Sequence, residues 1–202
     1  MLRTPVITLA LTLAACFPPI ALAANDPADT VTALHGVLID NMKSGTKLGC
    51  SGRLQRLGPA VDLDFDLPFL AQRVLRRQWK DLSGEQRKQF VDRFRELVVG
   101  TYASQFAAYA GERFTTLDTQ DLADGTKLVH ASLATGKDNV SFDYVLHDVA
   151  GTWKIVNVVA DGVSDLALRS SQYDKAYKAG GFDGLMSLLA TQIAGNKDDC
   201  KS

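Results

Sequence analysis

SGEQRKQFVDRFRELVVGTYASQFAAYA, Ser83 to Ala110, reads as one long helix closed by Gly111. Ser83 is a good N-cap, and Gln86 three residues on completes a capping box, which satisfies two of the N–H groups left open at a helix start. Phe90, Phe94, Leu97, Val98, Thr101, Tyr102, Phe106 and Tyr109 recur at spacings of three and four, with Arg87, Lys88, Asp92, Arg93, Arg95 and Glu96 largely between them. At 1.5 Å of rise per residue the helix would be roughly 40 Å long, with one wide side rich in aromatic rings. A surface of that breadth has to be covered by something equally broad.

Beyond Gly111 the period changes from 3.6 to 2. Strands are expected at Phe114 to Leu117, Lys127 to Thr135, Asn139 to Asp148 and Trp153 to Ala160, with turn residues Gly136-Lys137-Asp138 and Ala150-Gly151 between the last three. This is an antiparallel meander of about four strands. On the third, Val140, Phe142, Tyr144 and Leu146 alternate with Ser141, Asp143, Val145 and His147, so one face is apolar; the fourth carries apolar residues on both faces. Ahead of the long helix, the spacing predicts an amphipathic helix from Val31 to about Lys43 and glycine breaks around Cys50. A short helix over Arg53 to Leu57 is stopped by Gly58-Pro59, and a helix capped by Asp66 runs to Trp79. After the sheet, helices are expected from Ser164 to about Lys178 and from Phe182 to Ala194, interrupted at Gly180-Gly181. Helices, then a sheet, then helices give an α+β fold with the helices on one sheet face.

The composition fits a single domain: 202 residues, 46% hydrophobic and 22% charged, with a net charge of -1 that speaks against a nucleic-acid partner. Met1 to Ala24 reads as a cleavable export signal, with Arg3, the apolar run Val6 to Ala15, and Ala21-Leu22-Ala23 as the processing site; cleavage is expected after Ala23 or Ala24. The competing reading is a lipoprotein box, Leu13-Ala14-Ala15-Cys16, with Cys16 lipidated. No later run approaches the roughly 20 apolar residues of a membrane span, so residues 25–202 are expected as one periplasmic domain. Its two cysteines, Cys50 and Cys200, suit a disulfide in an oxidising compartment, the alternative being two unpaired thiols. Closing a loop of about 150 residues would be worth about 4 to 5 kcal/mol in the chain-entropy model.

Catalytic and metal signatures are missing from the sequence. His35, His130 and His147 have no Cys, Asp or Glu at metal spacing, there is no nucleotide-binding loop or nucleophile elbow, and Ser164 reads as a helix cap. No cofactor is expected. The basic run Arg73, Arg76, Arg77, Lys80, Arg87, Lys88, Arg93 and Arg95 reads as a solvated helix face, or else as a surface that attracts anionic headgroups or an acidic partner.

Trp79, LSGEQRKQFVDRFRELVVGTYASQFAAYAGERF (82–114), FDYVLHDVAGTWKIVNVVADGVSDLALRSSQY (142–173) and GGFDGLMSLL (180–189) together carry a family resemblance. They resemble the periplasmic lipid-binding family that includes MlaC and the toluene-tolerance proteins. The stretch VNVVADGVSDLALRSSQY (156–173) looks most like the hopanoid-associated HpnM branch; Asp165 stands where MlaC-like proteins more often have an apolar residue. The resemblance implies a non-enzymatic shuttle, expected as a monomer, whose cargo is a phospholipid or a hopanoid or sterol-like lipid. The hydrocarbon would lie between sheet and helices, and membrane-bound transporter and substrate-binding partners at the two membranes would exchange it. On that basis the expected lining is Phe94, Val98, Thr101, Tyr102 and Phe106 on the long helix, Phe142 and Tyr144 on the third strand, and Trp153, Val156 and Val158 on the fourth, with Val163, Leu166 and Leu185 near the C-terminus. For each, packed core is the competing role. Two other classes compete: an enzyme on a cone-shaped sheet-and-helix fold, using Asp143, Tyr144 or His147 for proton transfer in a hydrophobic pocket, and a structural envelope factor with a solid core.

Overall fold

In the computed structural model, residues 26–200 are described; the expected export signal, its expected cleavage site and Cys16 lie outside them. Helix α1, Pro27–Lys43, starts where the Asp26 carboxylate accepts the Ala28 N–H, and it buries Val31, Leu34, His35, Leu38 and Met42 on one side. Helix α2, Gly45–Asp64, bends at Gly49, whose φ of 58° is the left-handed region that favours glycine. It does not stop at Gly58-Pro59 as expected. Pro59 and Gln55, whose carbonyl loses its partner to the proline, are both exposed, so water replaces that bond, while buried Leu57 and Val61 hold the helix against the core. The single helix expected from Asp66 to Trp79 is two, α3 at Leu67–Leu75 and α4 at Gln78–Asp81, parted where Arg76 takes a φ of 52°.

Helix α5, Gly84–Gln105, begins with the capping box of Ser83 and Gln86. It ends five residues before Ala110 because tertiary donors take its last carbonyls: Arg53 Nε donates to Ala103 O and Asn41 Nδ2 to Phe106 O. The chain then turns so tightly past α2 that Gly45 lies directly against the Ala107 carbonyl.

Strands β1 (Arg113–Asp121), β2 (Lys127–Ala134), β3 (Asn139–Val149), β4 (Thr152–Ala160) and β5 (Val163–Ser164) form one antiparallel sheet in chain order. The fifth strand and the greater length of β1 exceed the four strands expected. β5 is only two residues long, and most of β1 is polar and exposed, so neither carries a strong two-residue apolar period. The register aligns Val129, Tyr144 and Val158, and likewise Ala131, Phe142 and Ala160, along one face. Between Val145 and Leu146 the register with β4 slips from Asn157 to Ile155, so Val156 stands unopposed and both Ile155 and Val156 are buried.

The last helix, α6, spans Asp165–Asp199 with a break at Gly180 and Gly181. Its end is tied back to α2 by the Cys50–Cys200 disulfide, across 5.3 Å between Cα atoms, and by Arg53, which donates to Gly45 O and to Cys200 O. Among the described residues no helix is long and apolar enough to cross a membrane.

Candidate functional site

A cavity of about 240 Å³ lies between the apolar face of the sheet and helices α3, α5 and the first segment of α6. The α5 wall is one helical stripe, Phe94, Val98, Thr101, Tyr102 and Phe106, supplied by the three- and four-residue spacing of that helix, with Gln105 at its end. The sheet contributes Phe142 from β3 and Asn157, Val158 and Ala160 from β4, followed by Val163 of β5. Leu166, Leu168, Asp165 and Arg169 come from α6, and Phe65, Leu70 and Val74 from the α2–α3 corner. Val163 and Leu168 are 60% and 51% exposed, so this end of the cavity opens to solvent.

Nine of the thirteen expected residues therefore line one cavity: Phe94, Val98, Thr101, Tyr102, Phe106, Phe142, Val158, Val163 and Leu166. Four do not. Tyr144 is on the correct face but deeper, stacked on Phe142 and held by a 2.9 Å hydrogen bond between its hydroxyl and His35 Nε2. Trp153 lies at the opposite end of β4, with Lys127 over its ring and Thr30 Oγ1 donating to its carbonyl. Val156 is displaced by the register slip, and Leu185 sits beyond the glycine break of α6, fully buried in the core. In the missed wall, Leu70 and Val74 belong to an apolar helix visible in the sequence and Phe65 lies just ahead of it, but periodicity does not say which core a helix faces. Arg169 and Asn157 were missed because a polar side chain runs against an apolar pattern; Asp165 alone had stood out.

Three of the cavity's polar groups, Asn157, Asp165 and Arg169, come from β4 and the start of α6. Ser164 Oγ caps α6 by accepting the Ala167 N–H and donates to Asn157 Oδ1. One turn on, Arg169 Nε donates to Asp165 Oδ2 over 2.6 Å; the arginine side chain is only 12% exposed, its partner 52%. Burial opposes the charge on Arg169, but the Asp165 carboxylate outweighs it and keeps the guanidinium protonated. Burial likewise raises the Tyr102 phenol far above its ordinary range.

None of these groups forms a nucleophile–base pair. The three residues considered for proton transfer do not converge on the cavity: Asp143 is paired with His130 at 2.6 Å on the other face of β3, His147 is hydrogen-bonded to Asp66 at 2.9 Å, and Tyr144 is taken up by His35. Among the described residues no group of three or more His, Cys, Asp or Glu could hold a metal ion.

The family model described as "MlaC protein" matches residues 34–191. The chain is 25% identical over 183 residues to the toluene tolerance protein ttg2D of Pseudomonas putida, covering 86% of this chain and 83% of that one. In fold it is similar to the phospholipid-binding protein from Ralstonia solanacearum solved in complex with a phospholipid: TM-score 0.73 at 23% identity, over 85% of this chain and 99% of that one.

Proposed function

The chain belongs to the MlaC protein family, and on that premise we propose that it is a lipid-binding carrier of the bacterial periplasm, exported by its N-terminal signal. It takes a phospholipid, or a hopanoid or sterol-like lipid, from one membrane-bound partner and passes it to another across the cell envelope. The observation that carries this reading is the apolar cavity between sheet and helices, open at Val163 and Leu168 and free of catalytic geometry. Binding rather than catalysis is the activity it suits.

Removing a sixteen-carbon chain from water is worth roughly 12 kcal/mol at about 0.8 kcal/mol per CH₂, and leaving a bilayer costs about the same. Transfer is close to thermoneutral only if the cavity is as dry and apolar as hydrocarbon, so direction comes from the partners. A cavity of about 240 Å³ lies under the roughly 300–1,000 Å³ usual for small-molecule sites, so cargo widens it. The segment of α6 that carries Leu166, Leu168 and Arg169 is separated by Gly180 and Gly181 from the segment held by the disulfide, which gives the wall a place to hinge.

The test is transfer of a fluorescent phospholipid between two vesicle populations. Acceleration in proportion to added protein is expected. No acceleration of this phospholipid, nor of a labelled hopanoid or sterol offered in the same way, with partners of both membranes supplied, would reject the shuttle.

A further inference from the structure

Building on the carrier reading, we propose that Arg169, with Asn157 of the same cavity lining, holds the phosphate of the cargo lipid, displacing Asp165 from the guanidinium.

An (i, i+4) ion pair on a helix normally lies in water and contributes little. This one is turned inward, onto the wall of a cavity otherwise lined mostly by apolar side chains, with Arg169 only 12% exposed. A buried charge is costly unless paired and fully hydrogen-bonded, and this pairing is partial. Among the described residues the one guanidinium hydrogen bond of good geometry is that from Nε to a single oxygen of Asp165. The Tyr173 hydroxyl lies beside the guanidinium and favours its charge, but no hydrogen bond of good geometry joins the two. The amino ends of the fork, which suit the bidentate geometry of a phosphate, are thus available. Asp165 is half exposed and turns to water at little cost, so an incoming phosphate keeps the arginine neutralised without stranding a buried carboxylate.

Asn157 adds a donor. Its Oδ1 is engaged by Ser164, and its amino group has no hydrogen-bond partner among the described residues. The location suits an amphiphile: the polar corner adjoins exposed Val163 and Leu168, while Phe142, Val158 and Phe94 line the apolar remainder. Leu166 also borders a neighbouring surface groove walled by Arg73 and Arg76, so the approach to this corner is basic. An uncharged polycyclic lipid would leave the Arg169–Asp165 pair closed and gain nothing from it.

The experiment offers the full-length mature protein vesicles containing equal amounts of phosphatidic acid and diacylglycerol with the same acyl chains, which differ only in the phosphate, and measures the captured lipids after extraction. The wild type should favour phosphatidic acid about tenfold or more, the scale of one charge-assisted contact. Arg169→Met should bring the ratio close to one while still capturing diacylglycerol, Arg169→Lys should fall between, and Asp165→Asn should keep or raise the preference. If Arg169→Met does not fold, Arg169→Lys decides, and an unchanged ratio in it overturns the proposal. Equal capture by the wild type overturns it too but leaves the carrier reading standing; capture of neither lipid also overturns it, and the carrier reading then falls only if a hopanoid or sterol offered in the same vesicles is not captured either. Excess inorganic phosphate should leave the ratio unchanged; if it abolishes the preference, the corner is a free-anion site and not a headgroup site.

Discussion

His35 and Asp64 are both buried but titrate in opposite senses. Burial lowers the His35 pKa from 6.5 to about 4, whereas it raises that of Asp64 from 3.8 to about 6, Lys154 pulling partly back. Between those values the unfolded chain holds a proton at His35 that the folded protein lacks, so this group makes stability rise with pH. At Asp64 the folded protein holds the extra proton, so this group makes stability fall with pH. Each amounts to at most about 3 kcal/mol across its window, and the two slopes nearly cancel. Against wild type, urea titrations between pH 4 and 6 should show stability declining with pH in His35→Phe and increasing with pH in Asp64→Asn. Slopes identical to wild type in both would contradict these environments. In the cavity wall, Phe142→Glu or Val158→Glu should abolish lipid retention in a folded protein, because an unpaired carboxylate in a dry site is expensive; lipid extracted from either variant at the wild-type level would count against the lining. Alternation along β3 made Phe142 and Tyr144 legible as one face. How deep each lies was not legible, because depth is fixed by partners far off in sequence, such as His35 for Tyr144.

At the scale of elements, signals carried by neighbours in sequence survived and those set by distant contacts did not. The capping box starts α5 as its residues dictate, but its end is decided by Arg53 and Asn41, which no local pattern reveals. The proline in α2 reads as a stop only until the exposure of its face is known. Gly45 is a further contact of this kind: a Cβ there would sit 1.8 Å from the Ala107 carbonyl oxygen. Gly45→Ala should therefore cost about 1–3 kcal/mol or more, the range for overpacking against atoms that cannot yield, read as a lower denaturant midpoint; an unchanged midpoint would mean that the two segments are not in contact. The disulfide joins α2 to the end of α6 across 150 residues of sequence. Reduction should raise the intact mass by about 2 Da and lower stability by about 4 to 5 kcal/mol in the chain-entropy model; no mass change would remove the bridge.

For the whole molecule, helices gathered on one face of an antiparallel meander were legible from the change of period at Gly111, whereas the hollow between the layers was not. Periodicity marks an apolar face without saying whether it meets another or stands away from it, and here the resemblance supplied what the pattern left open. The account depends on that hollow holding lipid. Native mass spectrometry of the protein purified from its own cell envelope should show the mature chain carrying one lipid, identified after extraction, with the adduct missing from folded Val158→Glu. Wild-type protein that emerges folded, at the bare mass of the polypeptide, and that stays bare after incubation with vesicles, would contradict the account.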